Sequence, residues 1–152
     1  MGSVTIRKGA PSEPQATSLL HASHALMTRL FPSEANHFLS VEALAAPHIS
    51  FFVAQMDEEL VGCVALASYP GYGEIKSMFV SPSRRKQGIA DALLSAVIAQ
   101  ARDANLPCIR LETGTGLEAA HRLYERHGFH DCDAFGSYLP DAPLSRYMEL
   151  AI

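Results

Sequence analysis

Hydrophobic and polar positions change period several times along the chain, and each change marks an element. Val4-Thr5-Ile6-Arg7 alternates and predicts a first strand. After Pro11-Ser12-Glu13-Pro14, the residues Leu19, Leu20, Leu26, Met27 and Leu30 recur at helical spacing, so a helix with a core-facing stripe follows. Phe31-Pro32-Ser33-Glu34 breaks it, and Ser33 is placed to cap a second short helix running through Leu44, which Pro47 ends. Two apolar runs, Ile49 to Met56 and Leu60 to Tyr69, flank Asp57-Glu58-Glu59 and predict a hairpin. Pro70-Gly71-Tyr72-Gly73 reads as a turn, and Glu74 to Val80 as a fourth strand closed by Ser81-Pro82.

From Gly88 to about Asn105 the period is helical again. Ile89, Leu93, Val97 and Ala101 repeat every four residues, with Ala90, Leu94 and Ile98 beside them, a stripe broad enough to cover a sheet. Pro107 precedes a strand, Cys108 to Glu112. Gly114-Thr115-Gly116 then leads into a helix from Leu117 to about His127, with Ala120, Leu123 and Tyr124 inward. Gly128 stands where a left-handed C-cap belongs, after Arg126 and His127. A strand from Phe129, a proline-containing loop over 137–144 and a last strand, Arg146 to Leu150, complete the chain. The order is β-α-α-β-β-β-α-β-α-β-β. Hairpins mixed with crossovers imply an α+β (mixed α/β) fold with a central mixed sheet of six to seven strands flanked by about four helices. The consecutive strands between 49 and 80 disfavour a purely parallel, doubly wound sheet.

Composition narrows the function classes. The length of 152 residues fits a single domain over 1–152. A hydrophobic content of 48% with 18% charged residues is that of a folded globule. The net charge of −4 argues against a general nucleic-acid or anionic-membrane surface. Cys63, Cys108 and Cys132 form no CxxC pair, so neither a disulfide framework nor a zinc knuckle is expected, and a reduced, cytoplasmic setting fits. Met1 to Ile6 carries no apolar leader and lacks the Ser/Thr at position 6 that myristoylation needs. No apolar run approaches the ~18 residues of a membrane span. His21 with His24, and His130 with Cys132, lack the further ligands a metal site needs, so no metal is expected.

The chemistry concentrates in Ser83-Arg84-Arg85-Lys86-Gln87-Gly88-Ile89-Ala90. A basic triplet in an acidic chain lies between a strand end and a helix start. A helix N-terminus offers unpaired N–H groups and the positive end of a dipole, which suits phosphate, and Gly88 lets backbone approach it closely. Neither GxxxxGK[ST] nor GxGxxG is present, which excludes a P-loop and a dinucleotide fingerprint.

The spacing Arg85-x-x-Gly88-x-Ala90 after Val80-x-Pro82 resembles the [RQ]xxGx[GA] signature of the GNAT superfamily of N-acetyltransferases. Leu123-Tyr124-Glu125-Arg126-His127-Gly128-Phe129 is similar to that family's LYxxxGF segment. Glu74-x-Lys76-x-Met78-Phe79-Val80 and Leu111-Glu112-Thr113-Gly114 resemble its strands. The matches keep their order over about residues 74–129. One departure is Leu117-Glu118-Ala119, where many members carry an Asn that touches the pantetheine arm.

The resemblance implies a GNAT-like fold and acetyl transfer from acetyl-CoA, as cosubstrate, to an amine within a ternary complex. It implies that the backbone from Arg85 through Lys86, Gln87, Gly88, Ile89 and Ala90 holds the pyrophosphate, with Arg84, Arg85 and Lys86 adding charge. Met78 and Val80 would pair with the pantetheine, and an N–H near Phe79 would face the oxyanion. Tyr124 is the expected general acid and also touches the cofactor. Glu74, at the head of its strand and on the same face as Lys76 and Met78, is the expected base, with Glu112 as substitute. Loops near 28–38 and 136–144 would set acceptor specificity through Phe31, His37, Tyr138 and Asp141. A small-molecule amine is the expected acceptor. A protein or peptide amine, or a CoA-binding sensor without turnover, are the alternatives, and a homodimer is compatible with the family.

Overall fold

The computed structural model describes residues 3–152. β1 is Val4–Lys8 and α1 is Pro14–Leu30, entered with proline at its first turn, where the missing N–H costs nothing. The second helix differs from the expectation. Ser33–Ala35 forms only a 3-10 turn, the chain then extends, and α2 spans just Val41–Leu44. Its cap is Ser40, whose side chain accepts from the Ala43 N–H at 3.1 Å, not Ser33. Asn36 explains the interruption, because its side-chain amide bonds the Phe31 and Pro32 carbonyls and fixes an irregular loop.

β2 is Ile49–Met56, β3 Glu59–Tyr69 and β4 Tyr72–Val80; β4 starts inside the expected turn, leaving Pro70-Gly71 as the reversal. α3 is Ile89–Asp103, β5 Cys108–Gly114, α4 Glu118–Arg126 and β7 Ser145–Ala151. β6 is only His130–Asp131, since Phe129 before it is buried against Tyr124 instead of pairing. The strands described form one seven-stranded sheet in the order β1-β2-β3-β4-β5-β7-β6. All pairings are antiparallel except β4 with β5.

Each face of the sheet has its own helix. Leu93, Leu94, Val97 and Ile98 of α3 pack on Val64, Leu66, Ile75, Ile109 and Met148. Ala16, Leu19 and Leu20 of α1 pack on Phe51, Val53, Cys63 and Ala65. The alternation Phe51/Phe52/Val53/Ala54 therefore splits between the two faces, as a strand buried on both sides requires. A Cβ on Gly62 would lie 3.1 Å from Leu93 Cδ1 and 3.1 Å from the Phe79 carbonyl, so glycine there lets α3 close on the sheet. Leu93 is fully buried. Leu93→Ala is expected to cost about 3 kcal/mol, read as a Tm fall of roughly 10 °C by differential scanning calorimetry.

The parallel pair is where the sheet opens. β4 and β5 pair only at Gly73↔Ile109 and Glu74↔Arg110. Beyond that, β4 follows β3 and β5 follows β7, and a gap opens between them. A bulge drives the divergence: between Phe79 and Lys76, β4 carries one residue more than β3 does between Cys63 and Ala65, and Ser77 sits at φ +55°. The extra residue also reverses the faces. Met78 packs in the α3 core, not on the face shared by Glu74 and Lys76 as expected, while Phe79 joins the α1 side.

Candidate active site

The gap between β4 and β5 is the floor of a cleft of about 670 Å³. Its walls come from α1, the 31–38 loop, the turn before α3 and α4. The expected residues Glu74, Met78, Phe79, Val80, Arg84, Arg85, Lys86, Gly88, Ile89, Ala90 and Tyr124 all line it. Gln87 is exposed and does not.

One end is built to receive an anion. Pro82–Arg84 makes a 3-10 turn, Lys86 takes φ +64° and Gly88 takes φ +79° as the N-cap of α3. A Cβ on Gly88 would touch nothing within 4 Å, so its requirement for glycine is conformational. Among the described residues, no backbone N–H from Arg85 to Asp91 has a protein acceptor. Arg84 is drawn outward to Glu59 at 3.0 Å. Arg85 Nε donates to the Val80 carbonyl at 3.3 Å and stacks its guanidinium over Phe79 at 5.9 Å. Ile89 is in the core, so only its backbone can serve the cleft.

Asp91, in the first turn of α3, carried no signal in the sequence beyond its position. His127 Nε2 lies 2.9 Å from it and Arg126 Nη2 3.1 Å. The His127 bond first, then Arg126, hold its carboxyl below the usual range, so the negative group nearest the N–H run is already neutralised.

The middle of the cleft has free polar groups. Ser81 N–H bonds the Val61 carbonyl at 2.8 Å. Strand alternation then turns the Phe79 N–H to β3 and leaves those of Met78 and Val80 facing the gap. The Ser77 hydroxyl is buried with no partner among the described residues. Tyr124 is buried with its ring against Phe129 at 5.7 Å, and its hydroxyl has no protein partner among the described residues. Burial, and then the charge of Glu112, push its pKa well above the ordinary phenol value, so it stays a neutral donor.

The other end holds two carboxylates with different duties. Glu74, although near the head of β4, is only 5% exposed. It accepts from Tyr138 Oη at 2.5 Å and pairs with Lys76 Nζ at 3.1 Å. Lys76 donates further to Tyr138 Oη at 2.6 Å and the His37 carbonyl at 3.2 Å, so one ammonium joins β4 to both flanking loops. Among the described residues Glu112 accepts only from Ser145 Oγ, at 2.8 Å. Its pKa is raised, chiefly by burial and also by Glu74, against the lowering effects of Ser145, His37 and Lys76.

Of the expected specificity residues, Phe31 and His37 line the cleft and Tyr138 meets Glu74 at its edge. Asp141 is exposed and lies outside. Leu117, Glu118 and Ala119, standing where many members of the resembled family carry Asn, all line the cleft. Among the described residues no cluster of His, Cys, Asp and Glu could hold a metal ion, and no helix is long and apolar enough to cross a membrane.

Comparison with known proteins gives a consistent result. The model of the acetyltransferase (GNAT) family matches residues 18–129. An IAA acetyltransferase of Azospirillum brasilense is 40% identical over 98% of both chains. A Klebsiella pneumoniae chain described as a candidate acyl-CoA N-acyltransferase superposes with TM-score 0.81 at 33% identity, over 97% of each chain. A GNAT acetyltransferase of Elizabethkingia anophelis with acetyl-CoA bound superposes with TM-score 0.73 at 20% identity, over 98% of each.

Proposed function

Since the chain belongs to the acetyltransferase (GNAT) family, whose members use acetyl-CoA, we propose that it acts as one catalytic domain that acetylates the amine of a small molecule by direct attack in a ternary complex. The carrying observation is the continuity of the cleft. An unpaired N–H run, an open strand edge, the buried Tyr124 phenol and the half-buried Glu112 carboxyl all line one cleft.

These groups fit acetyl-CoA. The N–H groups from Arg85 to Asp91 take the pyrophosphate, with Arg85 and Lys86 adding charge. The Met78 and Val80 N–H groups receive amide and thioester carbonyls along the open edge of β4. Bound acetyl-CoA supplies an activated acetyl thioester. Tyr124 Oη donates a hydrogen bond toward the leaving sulfur. Glu112, held by one hydroxyl and biased by burial, takes the proton from the acceptor amine. Glu74, expected in that role, has its facing oxygen committed to Tyr138 and Lys76 and acts as a positioning residue.

The test is titration calorimetry with acetyl-CoA, followed by thiol release against amines and peptides. The expected result is binding, with thiol release for a free amine. Reversing Arg85 and Lys86 to Glu is expected to weaken binding about tenfold, with a loss that shrinks as salt rises. A folded sample that does not bind would overturn the site assignment. Thiol release with peptides alone would overturn the small-molecule acceptor.

A further inference from the structure

The acceptor half of the cleft has a one-sided charge inventory. The cations lining the cleft are Lys76, Arg84, Arg85, Lys86, Arg122 and Arg126. Arg84, Arg85 and Lys86 lie on the turn before α3, Arg126 of α4 is tied to Asp91 in the first turn of α3 at 3.1 Å, and Arg122 is exposed on α4. Lys76 has no donor to spare: Glu74, Tyr138 Oη and the His37 carbonyl take its hydrogens, and its side chain is only 12% exposed. The Asn36 amide is likewise spent on the Phe31 and Pro32 carbonyls. His37 is the one histidine on the lining, and its ring stands edge-on to Tyr138 at 5.2 Å.

Against this stand carboxylates and an apolar wall. Glu74 and Glu112 line the cleft from β4 and β5, and Asp91 and Glu118 line it from α3 and α4. Leu26, Met27, Phe31 and Phe38 supply the apolar lining, with the Phe31 ring lying over Gly114 of β5, the strand that carries Glu112. Phe38 is 40% exposed and stacks on His24 at 4.1 Å, so an apolar ring stays presented at the rim. Leu139, beside Tyr138 on the facing loop, is 68% exposed.

We propose that the acceptor is an amine carried on an uncharged, apolar body, without a carboxylate next to the nitrogen. This rests on the reading of the cleft as a small-molecule acetyl-acceptor site. A protonated amine entering this half meets Glu112 and keeps its apolar body against Phe31 and Phe38. The carboxylate of an α-amino acid would sit beside the same Glu112, in partly desolvated surroundings where like charges repel strongly, and among the described residues β4, β5 and the flanking loops bring no uncommitted cation to the lining there.

The experiment compares phenethylamine, phenylalanine and phenylalanine amide as acceptors in the acetyl-CoA thiol-release assay, with a short unblocked peptide as a further arm. Phenethylamine is expected to exceed phenylalanine in kcat/KM by about a hundredfold. The amide, which restores the bulk without the charge, is expected to recover most of that loss. Phenylalanine turned over as fast as phenethylamine, or no faster as its amide, would overturn this proposal alone. Thiol release with the peptide and with none of the three small compounds would overturn the small-molecule reading and this proposal together.

Discussion

Tyr124→Phe is expected to lower kcat by about two to three orders of magnitude while leaving the acetyl-CoA Kd within about twofold. The separation follows from where the hydroxyl stands. The ring is buried against Phe129 and keeps that packing as Phe. The hydroxyl has no partner among the described residues, so its removal breaks no bond in the free enzyme, and Tm should hold or rise slightly. What is lost appears only as negative charge develops on the leaving sulfur. Burial and the Glu112 charge hold the phenol above its ordinary pKa, so Tyr124 is not an acid that surrenders its proton to a less basic thiolate. Its contribution is a hydrogen bond that strengthens with the charge, in a site too dry for water to replace it. A protonated amine loses one proton through Glu112 to solvent before attack and a second as the C–N bond forms; the C–S bond breaks and the sulfur takes up one proton, so the balance closes with one proton released and no net change in Tyr124. Thiol release under saturating substrates measures the first effect and calorimetry the second. A kcat within threefold of wild type, or a Kd that weakens in step with kcat, would remove Tyr124 from this role.

What the sequence made legible, and what it did not, divides along a physical line. Elements with strong periodicity came through nearly to the residue: Ile49–Met56 as β2, and a helix after Gly88 as α3. The anion turn was readable because a basic triplet, a glycine and a helix start are local features, and so was Gly128, whose positive φ fits the left-handed C-cap expected there. Three things were not local. The extra residue at Ser77 is visible only against β3, and it moved Met78 to the opposite face from Glu74. The burial of Glu74 depends on Tyr138, 64 residues later in the chain. Asp91 gains its meaning from His127 and Arg126 on another helix. The short second helix failed for a different reason: Asn36 offered the backbone an alternative that a weak apolar pattern could not outweigh.

Glu112→Gln separates the two carboxylates. It is expected to lower kcat/KM about a hundredfold near neutral pH and to erase the acid limb of the pH profile. In the wild type that limb lies above the ordinary carboxylate range, because burial raises the Glu112 pKa and only the ionised form accepts a proton. Activity should therefore fall as pH drops through that raised value. Stability should move the opposite way. The folded pKa exceeds the unfolded one, so below the unfolded value the carboxyl is protonated in both states and carries no penalty. As pH rises through the folded pKa, the fold must hold a buried charge and loses stability. The Gln variant, which still accepts from Ser145 Oγ, should match the wild-type Tm in acid and exceed it progressively above the folded pKa. Glu74→Gln should behave otherwise. It leaves the buried Lys76 ammonium without its counter-charge, so Tm falls and the acceptor KM rises as the two loops loosen, while the acid limb persists but moves to lower pH, because the Glu74 charge that helps raise the Glu112 pKa is gone. An acid limb that survives Glu112→Gln and disappears in Glu74→Gln would exchange the two roles. Paired pH–rate and thermal-melt series on both variants read this directly, since a merely structural carboxylate moves Tm and at most displaces the limb without erasing it.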